Sequence, residues 1–180
     1  MGGGIGLGWG ATSQREVHVE PKIIRPDDAR SVTLKKTLFR YGIGGEESDG
    51  ALAMLEVTIP PRTLIKPHIH TREDEFSLVL EGTIGLRSGT ETTEEVPAGT
   101  WLVKPRSVPH AMWNLADEPA RVLEVVMPAG LERYFEEIEP VLREHGPEWT
   151  KRYAALADAY GLTILDDWSD ELQGRYGITL

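Results

Sequence analysis

The chain has 180 residues, of which 40% are hydrophobic and 27% charged, and carries a formal net charge of −10. That size suffices for one domain with a full core, and the acidity excludes the basic footprint of sequence-independent nucleic-acid binding. The absence of cysteine removes disulfides and thiol chemistry and fits a cytoplasmic location. No apolar run nears membrane-spanning length and no basic-then-apolar signal opens the chain, so no membrane partner is expected.

In chain order, the opening MGGGIGLGWG holds six glycines in ten residues. It lacks the lysine of a phosphate loop, so residues 1–20 are read as a flexible leader outside the fold. From residue 21 to 128 the sequence breaks into short apolar runs divided by turn signals. These are Ala51–Ile59 before Pro60-Pro61, Glu75–Leu80 before Glu81-Gly82, Thr83–Arg87 before Ser88-Gly89, Thr100–Val103 before Lys104-Pro105, and Ala120–Met127 before Pro128. Such spacing predicts a mainly β sandwich or barrel, not alternating β-α units.

The character changes at Gly130, and residues 129–180 are predicted to form a helical appendage packing on the barrel. Leu131, Tyr134, Phe135, Ile138, Val141 and Leu142 follow helical spacing, with a kink or restart expected at Pro140. Gly146-Pro147 separates this helix from a second one, whose Trp149, Tyr153, Leu156 and Tyr160 form the packing face and which closes at Gly161. From Leu131 to Leu180 there are 11 acidic and 5 basic residues, an excess that suits a solvated helix face.

The chemistry concentrates in PHIHTREDEF, residues 67–76. Strand side chains alternate, so His68 and His70 project to one side. Glu75 has the opposite parity, and the turn through residues 71–74 has to bring it back. His110, in VPHAMWN, is a further imidazole in a strand-like segment. Neutral imidazoles and a carboxylate together suit a first-row divalent metal.

These residues resemble the two motifs of the cupin superfamily. His68-Ile-His70, four residues, Glu75, six residues and Gly82 match the first. Gly99, five residues, Pro105-Arg-Ser107, two residues, His110, three residues and Asn114 match the second. Two motif glycines are replaced, by Arg62 and Ser107, both at turn positions. The resemblance implies a cupin jelly-roll β-barrel with His68, His70, Glu75 and His110 holding one divalent ion: iron, nickel, manganese, cobalt, copper or zinc. It also implies pairing into a homodimer, for which the strand before Arg40 is a candidate interface.

The LERYFEEIEPVL segment after the barrel further resembles bacterial single-domain cupins of the quercetin 2,3-dioxygenase type. That likeness implies an oxidoreductase, a dioxygenase acting on a small enol or aromatic substrate, with Glu75 as the catalytic general base. A metal-dependent isomerase, epimerase or lyase that does without dioxygen is the first alternative, and a non-catalytic binding module the second. Lys66 shares parity with His68 and is placed in the pocket to attract an anionic substrate, unless Pro67 turns it outward. Met112 and Asn114 share parity with His110 and are placed in the pocket too, a turn before Pro119 being the other use of Asn114. Trp101 and Trp113 are assigned to the core, and His18 and His145 to ordinary polar positions.

Overall fold

In β3 (Ala53–Ile59) every second side chain is buried, namely Ala53, Leu55, Val57 and Ile59. That is the period of a sheet with one face on the core. β11 (Ala120–Met127) alternates in the same way and pairs with β3, Ala120 opposite Ile59. The computed structural model describes residues 20–89, 92–144, 146 and 148–180. The glycine-rich leader, His18 and His145 lie outside the described residues.

Two antiparallel sheets face each other. The first adds β1 (Ser31–Leu34), β2 (Thr37–Ile43), β6 (Asp74–Glu81) and β9 (Trp101–Lys104), in the order β1-β2-β3-β11-β6-β9. The second consists of β5 (His68–His70), β7 (Thr83–Ser88), β8 (Thr92–Pro97), β10 (His110–Asn114) and β12 (Leu162–Ile164), in the order β12-β5-β10-β7-β8, with β4 (Thr63–Leu64) beside β10. The mainly β sandwich or barrel expected from the spacing of short strands is therefore the observed architecture, and it agrees with the jelly-roll that the cupin resemblance implies. Its inner faces enclose a core that includes Leu55, Val57, Ile59, Val79, Ile84 and Val122. Among the described residues no helix is long and apolar enough to cross a membrane.

The two substituted motif glycines explain themselves here. Arg62 and Ser107 both have positive φ, 53° and 64°, so the turns keep the left-handed backbone although the residues are not glycine. Ser107 N–H donates to the carbonyl of His70 at 2.7 Å, which ties the second motif to the first.

After the barrel come α1 (Leu131–Leu142), α2 (Trp149–Ala159) and α3 (Asp166–Tyr176). α1 does not restart at Pro140 but runs through it and ends two residues later at Leu142. The appendage is not purely helical. β12 joins the second sheet by pairing with β5, placing Leu162 opposite His70 and Ile164 opposite His68. Trp101 is corrected as well: it lies on the outer face of the edge strand β9 and is 69% exposed, whereas Trp113 is buried as expected.

Candidate metal centre

The four candidate ligands come from both sheets. β5 and β10 are neighbours, and His110 stands opposite His68 in their register. Glu75 does not return to the histidine strand, as parity within one strand would require. Residues 71–73 instead cross to the other sheet, where Glu75 is an inward-facing residue of β6, and face-to-face packing brings it back to the histidines. One candidate ligand atom from each of His68, His70, Glu75 and His110 lies within 4.8 Å of the others.

Second contacts fix the imidazoles. His68 Nδ1 is 2.5 Å from the Lys66 carbonyl and His110 Nδ1 is 3.3 Å from that of Val108. A carbonyl only accepts, so both Nδ1 atoms carry the proton and both Nε2 lone pairs face inward. His68 Nε2 lies 2.8 Å from His70 Nε2, and Glu73 Oε2 lies 3.6 Å behind His70 Nδ1. His110 Nε2 stands 3.1 Å from Glu75 Oε2, and neither buried atom has a hydrogen-bond partner. Two acceptors at that distance repel unless a cation meets both; Lys104 already meets Glu75 Oε2 at 2.9 Å, and among the described residues nothing meets the His110 Nε2 lone pair. This orphaned pair, with its hard and borderline donors, fits a divalent transition metal.

The charges agree. Glu73, Glu75 and Glu124 are buried around the cluster, and among the described residues the one buried ammonium there is Lys104. Lys104 Nζ is 2.9 Å from Glu75 Oε2, an ion pair lying off the hydrogen-bond direction, and 2.9 Å from Glu124 Oε2. Burial, opposed by Lys104, raises the Glu124 carboxyl, and Glu75 is the carboxylate that a divalent ion in the cluster would meet. Burial alone would raise the Glu75 carboxyl, but Lys104, then His70 and His110, hold it well below the usual carboxylate range. Burial, and after it the neighbouring His110 and His70, push His68 well below its ordinary pKa; burial also lowers His110, opposed by Glu75.

These directions give a pH dependence for the metal-free protein. The unfolded chain takes protons on His68 and His110 near the ordinary value of 6.5, and the fold resists them. The unfolded state thus binds more protons below that pH, and stability falls on acidification, by up to ~1.4 kcal/mol per pH unit for each histidine. Glu75, depressed in the fold, adds to the loss below 4.5. We expect a lower urea midpoint at pH 5.5 than at pH 7.5; equal midpoints would contradict neutral, desolvated histidines.

The cluster closes one end of an apolar cavity of about 190 Å³. α1 lends it Leu131, Tyr134, Phe135 and Ile138, and α2 lends Trp149 and Tyr153. The aromatic face of α2, read as packing alone, is thus cavity wall as well. Met112 lines the cavity, as expected. Lys66 also lines it, but its ammonium is paired with Asp166 at 2.6 Å. Asn114 does not reach the cavity: its Nδ2 donates to the carbonyls of Ile59 and Glu118, and its Oδ1 accepts from Ala116 N–H. It holds the turn before Pro119, which needs the whole side chain. Lys104 and Glu124, not foreseen, line the cavity too. Their signal was parity, since Glu124 alternates with the apolar Val122 and Val126 on the buried face of β11.

A family profile described as the cupin domain matches residues 55–126. Residues 55–126 are a cupin domain by this match. The chain is 32% identical over 101 residues to germin-like protein 9-3 of Oryza sativa subsp. japonica, covering 53% of this chain and 45% of the relative. It therefore spans less than half the length of that relative. Among solved structures it is similar to the polyketide cyclase RemF from Streptomyces resistomycificus. That match has 28% identity and a TM-score of 0.53 and covers 60% of this chain and 80% of RemF. KdgF from Halomonas sp. shares the fold at 16% identity, with a TM-score of 0.55 over 62% of this chain and 99% of KdgF.

Proposed function

We propose that this cupin is a metal-dependent enzyme, a dioxygenase that takes a small enol or aromatic substrate. The observation that carries the reading is the convergence of His68, His70, Glu75 and His110 at the end of an apolar cavity. A divalent ion held there would supply Lewis acidity, lowering the pKa of a hydroxyl brought against it. The chain's own residues do the rest. Leu131, Phe135, Ile138 and Trp149 receive an apolar ring and keep bulk water out. Glu75 Oε1 faces His70 at 3.5 Å, while Lys104 occupies the other oxygen. Oε1 is the atom we assign to accept the hydroxyl proton. A carboxylate held so ionised is a weak base, so the transfer needs a hydroxyl already acidified.

A second reading, proton-transfer chemistry without dioxygen, is favoured by the likeness to RemF, named a polyketide cyclase. An oxygen electrode separates the two. Protein loaded with iron, manganese, nickel, cobalt or copper is given flavonol and 1,3-dicarbonyl enols. One dioxygen consumed per substrate lost supports the dioxygenase. Substrate loss without oxygen uptake moves the assignment to the second reading. Faithful ligand binding with no turnover and no metal would instead leave a binding module, contrary to the proposal.

A further inference from the structure

Lys104 is more than a neighbour of the cluster. It stands opposite Glu75 in the β6–β9 register, on the inner face of the first sheet, and is 2% exposed. It donates to both Glu124 oxygens, at 3.1 and 2.9 Å, while Glu75 Oε2 lies 2.9 Å away as an ion pair off the hydrogen-bond direction. Glu124 is itself held by the Ser77 hydroxyl at 2.8 Å, so the ammonium cannot swing away. An ammonium has three N–H donors. Besides Glu124, the acceptor they find in hydrogen-bond geometry is Met112 Sδ at 3.9 Å, a weak one on the cavity wall.

Burying a charge is expensive, and an apolar residue at this place would be cheaper if filling space were its only task. A fixed cation with one donor to spare, in the same cavity as three inward-facing imidazole nitrogens, is built to meet a negatively charged oxygen. We infer that Lys104 is a substrate-binding residue, which receives an oxyanion on an apolar ring, an enolate or a carboxylate, beside the histidine cluster. This rests on the metal-dependent reading above. A merely structural Lys104 would neutralise Glu75 and Glu124 and be indifferent to a ligand's charge.

The test uses the full chain loaded with cobalt(II), whose visible spectrum follows ligands entering its surroundings. Tropolonate supplies the oxyanion as an enolate and benzoate as a carboxylate; benzamide and imidazole are neutral. Wild type is expected to prefer benzoate over benzamide by about tenfold or more, the worth of one charge-assisted hydrogen bond. Lys104→Met is expected to lose about that factor for the anions and to leave imidazole binding unchanged, and Lys104→Arg to recover part of it. Sensitivity of only one anion identifies the enolate or the carboxylate as the group received. If Lys104→Met does not fold, Lys104→Met/Glu124→Met removes the pair together and is read in the same way. The benzoate preference of wild type needs no variant. Equal anion binding by wild type and variant, or no benzoate preference, overturns the inference alone. A wild type that takes up no cobalt overturns the metal reading beneath it.

Discussion

The His68→Ala/His70→Ala double variant is expected to emerge from purification with almost no metal, and the unmodified protein with close to one equivalent. The physical reason is the shape of the site. His68 and His70 are two of its four candidate donors, and their Nε2 atoms lie 2.8 Å apart. Loss of even an outer partner of a ligand weakens metal sites by roughly 10- to 100-fold, so loss of two direct donors exceeds the upper end. Metal analysis of protein prepared without added metal gives the first readout.

Stability gives a second. A ligand that binds only the fold stabilises it by about 2.7 kcal/mol at 100 times its dissociation constant. The wild-type melting temperature should therefore rise with added metal, and the variant's should not. The metal-free variant should still fold, because both positions line the cavity and belong to neither hydrophobic core cluster. A variant that keeps a full equivalent of metal, or a wild type whose melting temperature ignores every divalent ion, would dismantle the site. The ion's identity then divides the chemistry: a redox-capable metal suits the dioxygenase, and zinc suits proton transfer alone.

The candidate ligands were legible in the sequence because metal donors are few residue types at fixed spacing. The network behind them was harder to see. Lys104 and Glu124 become partners of Glu75 and Ser77 only through strand register, Lys104 opposite Glu75 and Ser77 opposite Glu124. Register across three strands is a property of the sheet and not of any one segment. Parity alone marked Glu124 as inward-facing, but not what it faces. Asn114 shows the opposite failure: parity put it on the cavity side of β10, yet it lies at the strand's end, where the turn captures it.

The barrel strands were readable from alternation and turn residues. Trp101 went wrong because an edge strand leaves its outer face uncovered, and a single apolar residue cannot report which face it is on. The third helix had signals that went unused. Trp168, Leu172 and Tyr176 follow helical spacing, Asp166 and Asp167 occupy the first turn, and Gly177 ends it with a left-handed φ of 63°. β12 had no such signal. Three residues form a strand there because β5 offers them an open edge.

Trp113→Ala is expected to cost about 3–5 kcal/mol in urea unfolding, the range for a large side chain removed from a core. Trp113 is 1% exposed and belongs to a cluster of its own with Leu64, Ala111, Leu172 and Ile178. Its ring stacks on Tyr176 of α3 at 5.4 Å between centroids. On its other side is Gly85, where a Cβ would fall 2.1 Å from the indole, so the ring needs a glycine at that position of β7. Gly85→Ala should therefore destabilise by overpacking, by ~1–3 kcal/mol, and the double variant should lose less than the two singles combined, since the alanine then enters the vacated space. Additive losses, or a Trp113→Ala cost below ~1 kcal/mol, would show that the cluster does not bear on stability. The link to function lies in β10, which is buried on both faces. Met112 and His110 look into the cavity, and Trp113 looks the other way, under α3. Anchoring Trp113 thus fixes the strand that holds His110 in place, and Trp113→Ala should also weaken cobalt binding although Trp113 is not among the candidate ligands.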